Sequence, residues 1–161
     1  MVKNNKAQIE SIDLFFSVIV IVIMVGITVV SFNNELTKMN RQSQAYGLEV
    51  KALEIAEVLI MQSGNPENWH LQADYNTPSL VNEKRIIYLE KWNAFTDSNY
   101  ETLKQKMNIE EYQFELKLEQ NGIELLKFAP ISDTQAIQKI SIQRTVEYNG
   151  EIAQFTFTLF Q

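Results

Sequence analysis

Residues 14–32 read LFFSVIVIVIMVGITVVSF, nineteen positions without a charge or a proline. At about 1.5 Å of rise per residue, such a helix spans roughly 28 Å, close to the thickness of a hydrocarbon core. A buried helix of a globular protein is normally shorter or shows a polar face. Val and Ile are weak helix formers in water, but in lipid the backbone has no partner except itself. The stretch therefore predicts a transmembrane helix. A cleaved secretory signal would carry about 7–15 apolar residues and a small-residue cleavage site. This run is longer, and NNELTKMNRQSQ behind it offers no such site.

The flanks set the expected orientation. Lys3, Lys6 and the initiating amine precede the run, while Glu35, Lys38 and Arg41 follow it. The bias of positive charge favours a cytoplasmic N-terminus and a head outside. Glu10 and Asp13 stand at the front edge of the run. They suit a helix N-terminus, where a carboxylate complements the dipole. They equally suit an acid that pairs with a cation from a neighbouring subunit.

The helical pattern continues past the apolar run. Leu36, Met39, Ser43, Tyr46, Val50, Leu53 and Ile60 recur three or four apart among polar residues. That is an amphipathic stripe, and the spacing predicts that it packs against the chain's own head. Strict heptads fade at Ser43, which disfavours a coiled coil. Gln62-Ser63-Gly64-Asn65-Pro66 stops the helix, because Gly takes the left-handed cap and Pro cannot continue. One helix over 8–61 is expected.

Beyond it, residues 63–79 are rich in Asn, Pro, Gly, Asp and Thr and read as a loop closed by Trp69 and Tyr75. A helix over 87–95 should turn Leu89, Trp92 and Phe95 to one side. Ser98 and Glu101 match a capping box for a second helix reaching Met107, with Tyr100, Leu103 and Met107 inward. Period-two alternation then begins at Tyr112, Phe114, Leu116 and Leu118. Asn121-Gly122 and Asn149-Gly150 are hairpin turns. They link a return strand over 123–128, a third through Ile140 and Val146, and a fourth through Phe155 and Leu159. A polar break at 132–135 separates the hairpins. The expected fold is α+β, with a long N-terminal helix on a small antiparallel sheet whose apolar face the helix covers.

Composition narrows the chemistry. Net charge is -6 with a pI near 4.9, so no basic face for nucleic acid is expected. There are no cysteines and one histidine, His70, beside Trp69. No thiolate metal site, cysteine nucleophile or Ser-His-Asp set can be assembled, and no glycine-rich nucleotide loop occurs. Trp69, Trp92, Tyr112, Phe114, Phe155 and Phe157 are read as core, and Glu115, Lys117 and Glu119 as a solvated strand face. Neither an enzyme, a cofactor nor a metal is expected. No Asn-x-Ser/Thr sequon occurs, so N-linked glycan is not expected.

With these residues in place, the chain resembles the archaeal type IV pilin-like proteins that carry a class III signal peptide. The resemblance rests on the short basic leader, Lys6-Ala7-Gln8, the polar stretch ending Ser11-Ile12-Asp13, and the apolar run. Ser63-Gly64-Asn65-Pro66-Glu67-Asn68-Trp69 is similar to the Gly-x-Pro-x-x-Trp turn after the long helix in many members. The segment from Asn99 to Lys104, leading into a Tyr-x-Phe strand, is similar too. The resemblance implies cleavage by a prepilin peptidase between Ala7 and Gln8, with Lys6 as the basic residue before the cut. It implies a leader over 1–7, a transmembrane half-helix over 8–34, an amphipathic half over 35–62 and an extracytoplasmic head over 63–161. It also implies sister pilin subunits and the lipid bilayer as partners.

One departure stands. Many members carry Glu at the fifth mature position, where it neutralises a neighbour's amine during assembly. Counted from Gln8, that position is Ile12, and the acids are Glu10 and Asp13; a cut one residue later makes Asp13 the fifth. Gly26, with Ser17 and Thr28, is a candidate for close helix approach. The expected function is a pilin-like subunit, minor or non-major, of an archaeal surface filament. The alternative is a single-pass anchored extracytoplasmic binding or sensor module using the loop from Pro66 to Tyr75.

Overall fold

The computed structural model describes residues 4–129 and 138–161, and side chains from Leu14 onward. The polar break expected at 132–135 lies outside the described residues. Two compact units divide the chain, Met1–Gln44 and Ala45–Gln161. One element belongs to both, the helix α1 over Asn4–Met61.

In the second unit α1 is followed by a 3-10 turn (Trp69–Leu71), β1 (Ile86–Ile87), α2 (Leu89–Asp97), α3 (Tyr100–Lys106), β2 (Gln113–Gln120), β3 (Ile123–Phe128), β4 (Lys139–Tyr148) and β5 (Glu151–Phe160). The five strands form one sheet in the order β1-β4-β5-β2-β3. The four long strands pair antiparallel, as expected. Asn121 and Asn149 sit at φ of 52° and 53° ahead of Gly122 and Gly150 at 78° and 82°, the backbone of a two-residue hairpin turn. The short β1 pairs parallel to β4, which makes the sheet mixed. The sequence places Ile87 at a helix start. Two β-branched residues instead add a strand edge, and α2 begins at Leu89.

The core is one cluster. Phe114, Leu116 and Leu118 of β2 and Ala153, Phe155, Phe157 and Leu159 of β5 meet Trp92, Phe95, Leu103 and Trp69. The second-unit part of α1 closes it with Leu48, Ala52, Ile55, Ala56, Leu59 and Ile60. This corrects the expected stripe. Tyr46, Val50 and Leu53 are exposed, as are Leu36 and Met39 in the first unit; of the stripe's apolar residues only Ile60 is buried. Positions two apart stand about 200° apart around a helix, so Val50 and Ala52 face opposite ways. The buried face carries alanines at 52 and 56, where small side chains let neighbouring elements approach. A reading weighted to large side chains passes over them.

Two local expectations also shift. Leu89 is exposed, and α2 buries Lys91 beside Trp92 and Phe95. The cap of α3 is Asn99, whose Oδ1 accepts from the amides of Glu101 and Thr102 at 2.9 and 3.2 Å. Ser98 Oγ donates instead to Ala94 O, at the end of α2. Asn and Ser are comparable N-caps, so the hydroxyl is free to serve the preceding helix.

Candidate functional site

The first unit holds a feature whose chemistry is unusual for a water-facing surface. Every large apolar residue from Leu14 to Phe32 is exposed, from 37% at Ile19 to 69% at Leu14. None of this helix's most apolar window is buried within the chain. By length and composition it is a possible membrane span, a single long apolar helix near the N-terminus. Thr28 Oγ1 donates to Met24 O at 2.8 Å, so its hydroxyl is satisfied inside the helix. Just past the run, Lys38 Nζ pairs with Glu35 Oε1 at 2.8 Å, a charged pair in the open.

Gly26 sits in the middle of this surface, and a Cβ added there would meet nothing within 4 Å. Among the described residues no contact requires glycine at this point. Lys6, Ala7, Gln8, Glu10 and Asp13 belong to α1 by their backbone. Their side chains lie outside the described residues.

In the second unit the loop after α1 folds back onto the helix end. A helix leaves its last carbonyls without intrahelical partners. Here Leu80 N donates to Leu59 O at 2.9 Å and Arg85 N to Ile60 O at 2.7 Å. Ser79 Oγ donates to Gln62 O, and Lys91 Nζ to Ser63 O at 2.5 Å and Val81 O at 2.8 Å. Lys91 is buried, and that desolvation lowers its pKa below the ordinary lysine value, partly offset by the field of Glu67. A buried lysine spent on backbone carbonyls acts as a clasp rather than as a surface charge. Sequence reading missed it, because a lysine between Glu90 and Trp92 looks like ordinary helix polarity.

The turn over 63–69 is tight. Gly64 takes φ of 91°, and a Cβ there would stand 2.6 Å from Trp69 Cδ1. Asn65 N donates to Thr77 O, and Asn76 N to Asn65 O, both at 2.9 Å. The Asn65–Pro66 bond is cis. Trp69 turns inward, donates Nε1–H to Ser79 O at 3.0 Å, and packs on Tyr75 with ring centroids 4.9 Å apart. The loop thus presents neither aromatic ring to a ligand. The other expected core aromatics are likewise buried, apart from Tyr112, which packs half-buried against the cluster.

A shallow cleft beside α1 is lined by Lys51, Glu54, Val58, Thr77, Lys106 and Asn108. Its lysines are engaged, Lys51 with Glu54 at 3.7 Å and Lys106 with Asp74 at 3.2 Å. Among the described residues no group of His, Asp and Glu gathers to hold a metal. Comparison with protein-family models, with curated proteins and with solved structures finds no match to this chain.

Proposed function

We propose that the chain is a type IV pilin-like subunit, a minor or non-major pilin of an archaeal surface filament, held in the membrane by α1. The observation that carries this reading is one helix of two characters. Residues 14–32 are apolar and exposed all round, and Leu48 to Ile60 of the same element lie in the core of a small α+β head. A soluble protein has no use for the first, and a free-standing anchor has no use for the second.

Fourteen of the nineteen residues in the run are Leu, Ile, Val or Phe. On the insertion scale these favour the bilayer by roughly 4–8 kcal/mol in total. A subunit leaving lipid for a filament must recover that amount by burying the run against sister helices, away from water, with small residues permitting close approach. Gly26 supplies a site for close approach, and Glu10 or Asp13 an acid at the membrane edge for a neighbour's amine. The head lies outside the cell, with the prepilin peptidase acting at Ala7-Gln8 on the cytoplasmic face.

The test is the mature N-terminus of protein taken from native membranes. Intact mass and N-terminal sequencing should find the chain starting at Gln8, or at Ile9 if Asp13 serves as the fifth-position acid. An uncut leader supports the second reading, a single-pass anchored binding or sensor module; the loop from Pro66 to Tyr75 turns its rings inward, and the cleft between Lys51 and Lys106 is one surface open to a ligand.

A further inference from the structure

The outer edge of the sheet is β3, and its charges are arranged oddly for an edge that stays alone. Lys117 stands opposite Lys127, and Glu119 opposite Glu124. Like charges directly across a strand pair are destabilising. Neighbouring carboxylates relieve them in part, Lys117 with Glu119 along β2 at 2.9 Å and with Glu124 across the pair at 3.5 Å, and Lys127 with Glu115 at 3.3 Å. Among the described residues no backbone hydrogen bond reaches the far side of β3. The opposite edge, β1, is only two residues long and is also bridged by Val81.

A register irregularity between Leu118 and Glu119 changes which residues share a face. Strict alternation would put Glu124 and Lys127, three apart, on opposite sides. Because they oppose Glu119 and Lys117, which are two apart, both point to the outer face. The same pairing sets Ile123, Leu126 and Phe128 on the inner face with Gln120, Leu118 and Leu116. Ile123 is nonetheless 66% exposed, and Leu125 is exposed beside it.

We propose that β3 pairs antiparallel with β3 of a second copy, about a two-fold axis passing between residues 125 and 126. In that register Glu124 of each chain faces Lys127 of the other, and Ile123 faces Phe128. The outer-face row across the joint then reads Lys117, Lys127, Glu124, Glu119, so each like-charged pair gains an opposite charge on its open side. The inner-face row gains cover for Ile123. A lysine on an edge strand ordinarily deters pairing. Here the two-fold supplies the matching carboxylate, so the same residue that repels other strands selects its own copy. The surface lies wholly in the second unit and does not depend on the filament reading.

The test uses the full chain in detergent micelles, its protein mass followed by sedimentation equilibrium. Wild type should dimerise. Glu124→Lys and Lys127→Glu should each weaken the dimer by about tenfold or more, since each places like charges across the joint. The double variant E124K/K127E should dimerise like wild type. Mixing the two single variants should yield a heterodimer, a rescue that also requires both to be folded. A monomeric wild type overturns the proposal. So does association of equal strength in all four proteins, which would assign the contact to the apolar helix instead.

Discussion

The Tyr100 hydroxyl makes two hydrogen bonds to one residue, accepting from Phe114 N–H at 2.7 Å and donating to Phe114 O at 3.0 Å. The pairing of β2 with β3 ends at Leu116 and Phe128. Two residues further along β2, a side chain from α3 takes the place of the missing strand. Its ring also stacks on Phe114 at 4.7 Å, which locks α3 to the sheet.

Replacing Tyr100 with Phe keeps the stacking and leaves both backbone groups of Phe114 without their partner. The expected loss is about 1–3 kcal/mol, read from the denaturant midpoint of the full chain in detergent. Burial also pushes the Tyr100 pKa up, to about 12, from the ordinary value of 10.0. The folded state therefore holds a proton that the unfolded state releases between these values. This contribution is whole below pH 10 and is lost as pH rises toward 12. The stability gap between wild type and Tyr100→Phe should close over that window.

Lys91 has the opposite sign. Burial lowers its pKa, so the unfolded chain binds more protons below the ordinary lysine value of 10.5. Wild type should gain stability relative to Lys91→Met as pH climbs toward that value. A gap independent of pH would mean that Lys91 is not desolvated in the folded chain.

Gly64→Ala should be among the most damaging single changes in the head. The left-handed backbone and the 2.6 Å approach to Trp69 both oppose a side chain. The expected cost is about 2–4 kcal/mol. Trp69 fluorescence should shift to longer wavelength as the ring loses its place.

The two faces of α1 in the head give a paired prediction. Ala56→Leu, at a fully buried position, should cost about 1–3 kcal/mol through overpacking. Tyr46→Lys, at a position 69% exposed, should change stability by no more than about 0.5 kcal/mol. The stripe read from the sequence alone assigns these roles the other way round for Tyr46.

That reversal shows what the sequence can carry. Long, strongly periodic signals were legible: the apolar run, the two Asn-Gly hairpins, and the alternation of Phe114, Leu116 and Leu118. Each is a local pattern enforced by backbone geometry. What stayed hidden depends on residues far apart in the chain. The alanine face of α1 is defined by what packs on it, and the parallel β1 by a strand sixty residues away. Lys91 became a clasp only when Ser63 and Val81 were brought to it. In the apolar helix, by contrast, the exposed surface follows from composition, while the residues around the proposed cleavage point are legible only through resemblance.

An anchored subunit requires that residues 14–32 remain in the finished protein and sit in lipid. Two aspartates near the centre, Val22→Asp with Val25→Asp, cost about 5–7 kcal/mol, enough to offset most or all of the roughly 4–8 kcal/mol favouring insertion. Alkaline carbonate extraction should leave wild type in the membrane pellet and release a large share of the double variant. One such substitution alone should leave most of the chain in the pellet.

The most direct measurement is intact mass of the native protein after that extraction. A pellet-bound chain whose mass includes residues 14–32 is the predicted result. A freely soluble chain that begins beyond Asn34 would contradict both the anchor and the subunit built on it.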